Sequence, residues 1–451
     1  MHRLRLSPIL LAAALWAGAP AASLQPEARP VVALVSLDGF PAALWRDPAL
    51  PAPTLRALAA AGAAAPMTPV NPSVTWPNHT TFVTGVSPAR HDVLFNGRLL
   101  RQGPGRPVRV EPWRDKMEMV RAPTVYDVAH RAGLKTAQVD WVAIQRAPTI
   151  HWAFEERPDP AGPVARALVT AGLAAEADLR DFAKANIVRR DQLWTTAAVH
   201  IVRTYRPDLL LVHLLALDSV HHRYGPGTLA AYAAVSHLDA QVARLREAFA
   251  SAGLLDRTTF LIVADHGFAL ATRQIRPNAL LRREGLLRVD GEVACDAYVV
   301  PEGGTAMVFV TAAGDRAALT ARLRALFERT EGIAQVLGPE AYAGLGLPTP
   351  AQSDQVGDLL LVAADGYAFS GQHEGEAVGP LPADANPGHH GYLSSRESMQ
   401  ALFLAAGRGI RRGARLQQVD ARDVAPTAAA LLGLELPGVD GRVLDELLEP
   451  D

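Results

Sequence analysis

The sequence of 451 residues contains a single cysteine, Cys295. One thiol cannot pair within the chain, so a disulfide-stabilised scaffold is excluded, and no cysteine directly follows the N-terminal apolar segment to carry a lipid. Neither sign of charge dominates, because 44 basic and 46 acidic side chains give a formal net charge of -2. We therefore expect no binding of a nucleic-acid polymer by electrostatic attraction. If the substrate is a phosphate, local groups must bind it.

Long apolar segments are scarce, and the N-terminus is the one candidate for membrane insertion. It has Arg3 and Arg5, then an apolar stretch through Trp16, then the small residues Ala-Pro-Ala that end at Ala21. This order is typical of a signal peptide, which we predict for residues 1–21. A retained anchor is the less favoured alternative, because the stretch is shorter than the ~20 residues of a membrane span. We expect an exported protein of the bacterial periplasm with no membrane span after signal cleavage.

Apolar residues make up 49% of the chain, which is enough for a large core. The runs "PVVALVSLDGF", "DLLLVHLLALD" and "RTTFLIVADHG" have strand length and no helical period, as in strands buried on both faces of a parallel sheet. Helical patterns alternate with them, in "PAPTLRALAAAGAAA" and at the start of "PTVYDVAHRAGLKTAQVDW". The sequence therefore predicts an α/β fold with a mostly parallel sheet and helices on both faces.

The region between about residues 269 and 387 is less regular. It contains two candidate strands, "GTAMVFVTAA" and "GDLLLVAADG", and one candidate helix, "RAALTARLRALFERT". No repeat, low-complexity linker or charge run marks a domain boundary there. We expect residues 22–451 to form a single catalytic domain with elaborations in this region.

Three of the apolar runs end in an aspartate, at Asp38, Asp218 and Asp265. In an open α/β sheet, ligands bind beyond the carboxyl ends of the strands, so these side chains are expected to meet at one edge. Each aspartate alone could instead be a helix N-cap or a turn residue. Three in the same position favour a shared site.

Histidines accompany these aspartates. His222 follows Asp218 by four residues, a spacing that places both side chains on one helical face or across a turn. His266 directly follows Asp265, and "GHHGY" supplies His390. Carboxylate oxygen and imidazole nitrogen are ligands suited to zinc and similar ions. These residues are therefore candidate metal ligands.

For a single histidine, a surface position or a satisfied core position is the alternative to ligation. We assign that alternative to His213, inside an apolar strand, and to His91, in a polar loop. The remaining Asp and His residues are enough to hold two ions. Two ions ~4 Å apart stabilise the attacking and leaving oxygens of a phosphoryl transfer.

A nucleophile for such chemistry is found in "SVTWPNHTTFVTG". Pro77 suits the first turn of a helix, so Thr75 lies at or just before a helix N-terminus, where free N–H groups favour negative charge. A plain N-cap is the alternative interpretation of Thr75. With a metal against its hydroxyl, the same residue is placed to attack phosphorus.

The ordered motifs "SLDGF", "TWPNHTTFVTG", "FNG", "DSVHHRYGP", "ADHGF" and "HHGY" resemble those of a known family. The family is the nucleotide pyrophosphatase/phosphodiesterases of the alkaline phosphatase superfamily. The resemblance extends from about Val31 to the C-terminal tail and implies an alkaline-phosphatase-like fold that binds two zinc ions. The residues that it implies around one zinc are Asp38, Thr75, Asp265 and His266. The residues that it implies around the other zinc are Asp218, His222 and His390.

The resemblance further implies that Thr75 is the nucleophile and forms a covalent phospho-threonine. Asn96 matches the family asparagine that binds a phosphoryl oxygen, and we expect the Trp76 N–H to be the second donor to that oxygen. Of the doubled histidines, His221 and His389 are left as outer neighbours or exposed residues. The segment after Asn96 departs from the family's usual sequence where the leaving-group pocket is formed, so the preferred substrate stays open.

The expected activity is hydrolysis of a small phosphodiester or nucleotide, at a phosphodiester or phosphoanhydride bond. The alternatives on the same fold are a phosphomonoesterase and a phosphonate hydrolase. A non-catalytic anion binder would lack the nucleophile or a ligand, and neither is missing. A relative of metal-dependent phosphoglycerate mutase would use serine and be cytosolic. A diester is favoured because Asn96 is neutral, provided that Arg98 and Arg101 stay in solvent.

Overall fold

The computed structural model describes residues 29–450. The predicted signal peptide at residues 1–21 lies outside the described residues. Most of the described chain is built on an eight-stranded sheet. From one edge to the other, its strands are Val419–Asp420, Ala63–Thr68, Ala401–Gly407, Thr258–Val263, Val31–Leu37, Leu209–Leu214, Thr136–Val139 and Trp152–Phe154.

Strand direction in this sheet agrees with the prediction of a mostly parallel sheet. Ala401–Gly407 runs antiparallel to both of its neighbours, and every other neighbouring pair is parallel. The three apolar runs become adjacent strands at its centre, with Val31–Leu37 between Leu209–Leu214 and Thr258–Val263. Their carboxyl ends therefore lie side by side, which is the geometry on which the predicted site depends.

The central strand Val31–Leu37 is buried along its whole length. Successive side chains of a strand point to opposite faces, so its odd-numbered apolar residues join one core and Val32 and Leu34 join another. A predominantly apolar strand is therefore favoured here, because neither face meets water.

Helices cover both faces of the sheet, as the sequence predicts. The helices that contribute to the first core are Pro53–Ala61, Pro163–Thr170, Glu176–Arg180, Ile187–Tyr205, Ala216–Tyr224 and Leu229–Ser251, with the short Ala42–Trp45 beside them. The helices that contribute to the second core are Thr75–Thr84, Val125–Arg131 and Val424–Leu431. Within residues 29–450, no helix combines the length and apolarity that a bilayer span requires.

A second, four-stranded antiparallel sheet is formed by the less regular region. Its strands, in order, are Ala297–Pro301, Thr305–Val310, Leu359–Ala363 and Ile333–Leu337. Helix Arg316–Glu328 packs on it and shares a third apolar core with it. The two strands and the helix expected in this region are thus confirmed.

Smaller elements complete the described chain. Strand Ala269–Ile275 pairs with Gly366–Phe369, Val378–Pro380 and Gly388–His389. Two further hairpins pair Arg98–Leu100 with Arg109–Glu111 and Leu287–Asp290 with Glu292–Cys295. The other short α-helices are Pro88–His91, Lys116–Met119, Pro277–Arg283 and Pro339–Tyr342.

The first predicted helix is shorter than its alanine-rich pattern suggests. It ends at Ala61, and Ala63–Thr68 forms a strand instead of further helical turns. At the junction, a Cβ on Gly62 would lie 2.0 Å from the carbonyl oxygen of Ala405 on the neighbouring strand. Glycine ends the helix there because the backbones approach too closely for any side chain.

Candidate functional site

The predicted aspartates do lie beyond the carboxyl ends of the central strands. Asp38 directly follows Val31–Leu37, and Asp265 lies two residues beyond Thr258–Val263. The prediction for Asp218 was wrong in one respect. Its strand ends at Leu214, and Asp218 lies in the first turn of helix Ala216–Tyr224. The apolar run continues into this helix because the helix packs its first residues into the core.

Asp38, Asp265 and His266 form the first ligand group. Their ligand atoms lie within 4.8 Å of one another, and all three residues are buried. His266 Nε2 is 3.5 Å from Asp38 Oδ1 and 3.3 Å from Asp265 Oδ2. None of these three atoms has a hydrogen-bond partner among the described residues. Buried polar atoms that converge without partners fit a bound cation.

Backbone groups fix the side-chain orientations of Asp265 and His266 in the first ligand group. The Gly39 N–H donates to Asp265 Oδ1 at 3.0 Å, and the Gly267 carbonyl lies 3.2 Å from His266 Nδ1. Gly39 has φ +65°, and a Cβ there would lie 2.6 Å from Phe268 Cε2, so only glycine fits the turn. With these bonds made, Asp265 Oδ2 and His266 Nε2 remain available as ligands.

Asp218, His222 and His390 form the second ligand group, also within 4.8 Å of one another. Asp218 Oδ1 is 3.5 Å from His222 Nε2 and 4.0 Å from His390 Nε2. The predicted helical spacing of Asp218 and His222 is confirmed. His222 Nδ1 lies 2.9 Å from the Gly388 carbonyl, and His390 Nδ1 lies 3.2 Å from the Ser73 carbonyl. A backbone carbonyl accepts only from Nδ1–H, so in the neutral ring Nε2 keeps its lone pair for a metal.

Burial sets the protonation of both groups. It raises the pKa of Asp38 well above the usual range, and the nearby carboxylates of Asp265 and Asp218 raise it further. It also lowers the pKa of His266 and of His390 well below the ordinary value. Neutral imidazoles beside crowded carboxylates suit a site whose charge is balanced by bound cations.

Thr75 is the first residue of helix Thr75–Thr84, and Val74 occupies the N-cap position. The alternative interpretation of Thr75 as a plain N-cap is therefore excluded. The segment around Thr75 touches both ligand groups. The Ser73 carbonyl lies against His390 Nδ1, and His79 Nδ1 lies 3.7 Å from Asp265 Oδ2. The helix N-terminus and the two groups thus form one site.

Asn96 lies beside this helix N-terminus, but its contact differs from the expectation. The Trp76 N–H donates to Asn96 Oδ1 at 3.0 Å. We expected that N–H to be the second donor to a phosphoryl oxygen, and in this structure Asn96 accepts it instead. This hydrogen bond orients the Asn96 side chain. Its oxygen faces the helix N-terminus, so its amide nitrogen points away from the Trp76 N–H.

His213 is a satisfied core histidine, as expected, but its contact with Asp38 was not predicted from the sequence. Its Nε2 lies 2.9 Å from Asp38 Oδ2, so this histidine contacts a residue of the first ligand group. A polar side chain near the end of the otherwise apolar strand Leu209–Leu214 was the available signal. The interpretation of His91 as a satisfied residue is supported, since its Nε2 lies 3.0 Å from Thr81 Oγ1. It is fully buried at the end of helix Pro88–His91, however, and not in a polar loop.

The two histidines next to ligand histidines in the sequence, His221 and His389, differ in burial. His221 is fully buried, and its Nδ1 lies 3.1 Å from the Gly39 carbonyl. It therefore packs behind the first ligand group as an outer neighbour. His389 is only partly buried, and its ring centroid lies 6.4 Å from that of His222.

Comparison with known proteins identifies the family. Residues 32–393 match the family model described as type I phosphodiesterase / nucleotide pyrophosphatase. The human ectonucleotide pyrophosphatase/phosphodiesterase family member 7 is 24% identical over 421 residues, which are 91% of this chain and 81% of that protein. The chain belongs to the nucleotide pyrophosphatase/phosphodiesterase family of the alkaline phosphatase superfamily, as its motifs predicted. It is accordingly a metal-dependent hydrolase of phosphoric diesters.

Solved structures confirm the alkaline-phosphatase-like fold. Human ectonucleotide pyrophosphatase/phosphodiesterase 5 superposes with a TM-score of 0.70 at 17% identity, covering 94% of this chain and 100% of that chain. An inactive variant of the murine protein, solved in complex with AMP, gives a TM-score of 0.70 at 17% identity and covers 93% of this chain and 100% of that chain.

Proposed function

We propose that this protein is an exported, two-zinc phosphodiesterase or nucleotide pyrophosphatase that acts through a phospho-threonine intermediate. One observation carries the proposal. Two groups of Asp and His residues, with ligand atoms that converge, flank the N-terminus of the helix that begins at Thr75. The proposal keeps residues 22–451 as a single catalytic domain and residues 1–21 as a signal peptide, and it places the protein in the bacterial periplasm.

The donor set fits two zinc ions. Asp38, Asp265 and His266, with the hydroxyl of Thr75, would hold one ion. Asp218, His222 and His390 would hold the other. Carboxylate oxygens and neutral imidazole nitrogens are common zinc ligands. When bound, such ions lower the pKa of a coordinated hydroxyl and neutralise charge that develops on phosphate oxygens.

The remaining steps of the reaction are assigned to residues of the chain. The Thr75 hydroxyl attacks phosphorus, the phosphorus–leaving-group bond breaks, and the phosphoryl group is transferred to Thr75 Oγ1. Water then cleaves the phospho-threonine and regenerates the hydroxyl. The helix N-terminus at Thr75 favours the negative charge of the phosphate. The amide nitrogen of Asn96 donates to a phosphoryl oxygen.

The surroundings of Asn96 support a diester over a monoester. Arg98 donates to the Glu118 carbonyl at 3.1 Å and lies 3.9 Å from Asp92 Oδ2. Arg101 donates to the Asp354 carbonyl at 3.3 Å. Both arginines are thus engaged by groups outside the site, which leaves a neutral donor at the phosphoryl oxygen. A neutral site suits the single charge of a diester and gives a dianion little extra stabilisation.

A nucleotide leaving group is supported by aromatic residues next to the nucleophile. The segment that departs from the family sequence brings Trp113 edge-on against Trp76, with ring centroids 5.7 Å apart. The guanidinium of Arg157 lies 4.9 Å from the Trp113 ring centroid. Trp76 is buried, but Trp113 is partly exposed, and its ring beside a cation suits a planar base that carries an anionic group. The AMP complex of the murine relative agrees with this choice.

The test is a substrate panel on zinc-loaded enzyme. We expect bis-p-nitrophenyl phosphate, or a nucleoside diester, to give a higher kcat/KM than p-nitrophenyl phosphate. Dinucleotides and nucleoside triphosphates in the same panel compare diester with anhydride cleavage. A clear preference for the monoester would assign the protein as a phosphomonoesterase, and a preference for phosphonate esters would assign it as a phosphonate hydrolase.

A further inference from the structure

The helix that carries two ligands of the second group does not cap its own N-terminus. Helix Ala216–Tyr224 has Leu215 at the N-cap position, and an apolar side chain cannot accept the first N–H groups of a helix. These groups have no partner within the helix, so they need one from elsewhere when they are buried. Ala216 is fully buried in the first core, and Leu215 packs against that core. An acceptor from another part of the chain is therefore required.

Asp191 supplies this acceptor from helix Ile187–Tyr205. Its Oδ1 accepts from the Leu215 N–H at 3.0 Å, and its Oδ2 accepts from the Ala216 N–H at 3.1 Å. Asp191 is fully buried. A carboxylate at a helix N-terminus is also stabilised by the helix dipole. Both oxygens of Asp191 thus hold the start of the helix.

The same junction is held on its other side by the first ligand group. The Asp38 N–H donates to the Leu214 carbonyl at 2.9 Å, directly before the two N–H groups that bind Asp191. Strand Leu209–Leu214 therefore passes into the helix between two buried aspartates. Hydrogen bonds to these aspartates fix three consecutive residues, 214–216. The placement of the helix relative to the first ligand group depends on them.

Asp218 lies only two residues beyond this junction, in the first turn of the helix. Its Oδ1 is 3.5 Å from His222 Nε2 and has no hydrogen-bond partner among the described residues. Because no hydrogen bond holds this oxygen, its position depends on the backbone of the first turn. The third ligand, His390, belongs to a different segment of the chain. A shift of the helix N-terminus would therefore move Asp218 relative to His390.

We propose that Asp191 is a positioning residue, which accepts the first N–H groups of helix Ala216–Tyr224 and so holds Asp218 where it can bind the metal of the second ligand group. Loss of an outer group that orients a ligand lowers metal affinity by about 10- to 100-fold. Asp191 acts through the backbone, so we expect the lower end of this range. The proposal rests on the proposed function only in requiring that the second group binds a metal ion. It assigns Asp191 no contact with the metal or the substrate.

The fold contains a matched control for this contact. Asp239 is a buried aspartate that accepts from the Thr54 N–H at 3.1 Å and from the Leu55 N–H at 2.8 Å. Both N–H groups belong to the first turn of helix Pro53–Ala61, which contains no candidate ligand. Asp239→Asn therefore disturbs the same kind of contact at a helix without ligands. A general loss of stability should appear in both variants, and a loss of metal affinity only in Asp191→Asn.

The test is Co²⁺ titration of the metal-free proteins, followed by the visible spectrum of the bound ion. Asp191→Asn keeps the size of the side chain but replaces one acceptor oxygen with an amide nitrogen, which cannot accept. We expect one of the two ions to bind about 10-fold more weakly in Asp191→Asn, and both to bind normally in Asp239→Asn. Burial raises the pKa of Asp191 to about 7, although its two N–H donors oppose the rise. The titrations are therefore made at about pH 8, where the carboxylate is mostly ionised.

The weakened ion is assigned with Asp218→Asn, which removes a ligand of the second group. Adding Asp191→Asn to this variant should leave the affinity for the remaining ion unchanged, because that ion belongs to the first group. Zinc-dependent turnover lost in Asp191→Asn alone should return at higher free zinc, since the defect is in affinity. If Asp191→Asn does not fold, Asp191→Ser takes its place, because serine is smaller and brings no amide N–H against the backbone donors.

Two results would overturn the role of Asp191. One is wild-type affinity for both ions in the folded Asp191 variant. The other is an equal loss of affinity in Asp239→Asn, which would show a general effect of removing a buried aspartate. A wild-type protein that binds fewer than two ions would instead count against the proposed function.

Discussion

The rings of His266 and His390 stack with centroids 3.7 Å apart and planes 9° from parallel. Each ring belongs to a different ligand group, so the two groups are in direct contact. Stacked imidazoles of this kind can hold two neighbouring cations while both rings stay neutral. If the site bound only one ion, the Asp and His ligand atoms of one group would have no cation to bind.

We therefore predict about two zinc ions per chain. Exhaustive chelation should abolish turnover, and added zinc should restore it. Zinc at ~1,000 times its dissociation constant should stabilise the fold by about 4 kcal/mol, which a thermal melt detects. Asp218→Asn should bind about one ion while retaining the fold. Full activity in the metal-free enzyme would contradict the assignment.

The nucleophile can be tested through the intermediate. Thr75→Ala should fold normally, because Val74 and not Thr75 occupies the N-cap position, and should lose at least ~10³-fold in kcat. Thr75→Ser should retain part of the activity, since a primary hydroxyl can still attack. Acid quenching during turnover, followed by mass spectrometry, should find phosphate on Thr75 in the wild-type chain. A phosphorylated peptide elsewhere, or normal turnover by Thr75→Ala, would require a different nucleophile.

Asn96 should act on the reaction and not on metal binding. Asn96→Ala removes the amide donor, and we expect kcat to fall by about 10²- to 10³-fold, as for other donors to a developing oxyanion. Asn96→Asp should be at least as impaired, because a carboxylate repels the phosphate. Zinc content, measured by mass spectrometry, should stay near the wild-type value in both. A loss of zinc would show that Asn96 supports the metal groups instead.

His91 offers a prediction on pH and stability. Burial lowers its pKa to about 3, against an ordinary value of 6.5, and the nearby carboxylate of Asp440 opposes this only partly. The unfolded chain therefore binds a proton below pH 6.5 that the folded chain does not. Its contribution to stability is fully present above about pH 6.5 and is lost as the pH falls towards 3. Between about pH 6.5 and 5.0 the loss is about 2 kcal/mol.

The measurement is the difference between wild type and His91→Gln. Urea unfolding of the metal-free proteins should show the free energy of unfolding falling less steeply in the variant as the pH is lowered. His373→Gln, at a partly exposed residue, serves as the control and should follow the wild type. Equal pH dependence in wild type and His91→Gln would show that His91 does not contribute.

Local pattern in the sequence predicted most of the fold and which Asp and His side chains lie close together. The apolar runs ending at Asp38 and Asp265 predicted buried parallel strands, because a strand covered on both faces favours apolar side chains at successive positions. The four-residue spacing of Asp218 and His222 predicted a shared helical face or a turn, and the structure has the helix. The ordered motifs predicted the family, which the comparisons confirm.

The tertiary structure decided what depends on contacts between distant segments. His213 lies opposite Ser36 and so meets Asp38, 175 residues away in sequence, only because two strands pair in one register. The close approach of Gly62 to Ala405 likewise ended a helix that an alanine-rich pattern would have extended. Periodicity records which face of an element is buried, but not which residue lies across from it. The contact between His213 and a residue of the first ligand group therefore required the fold.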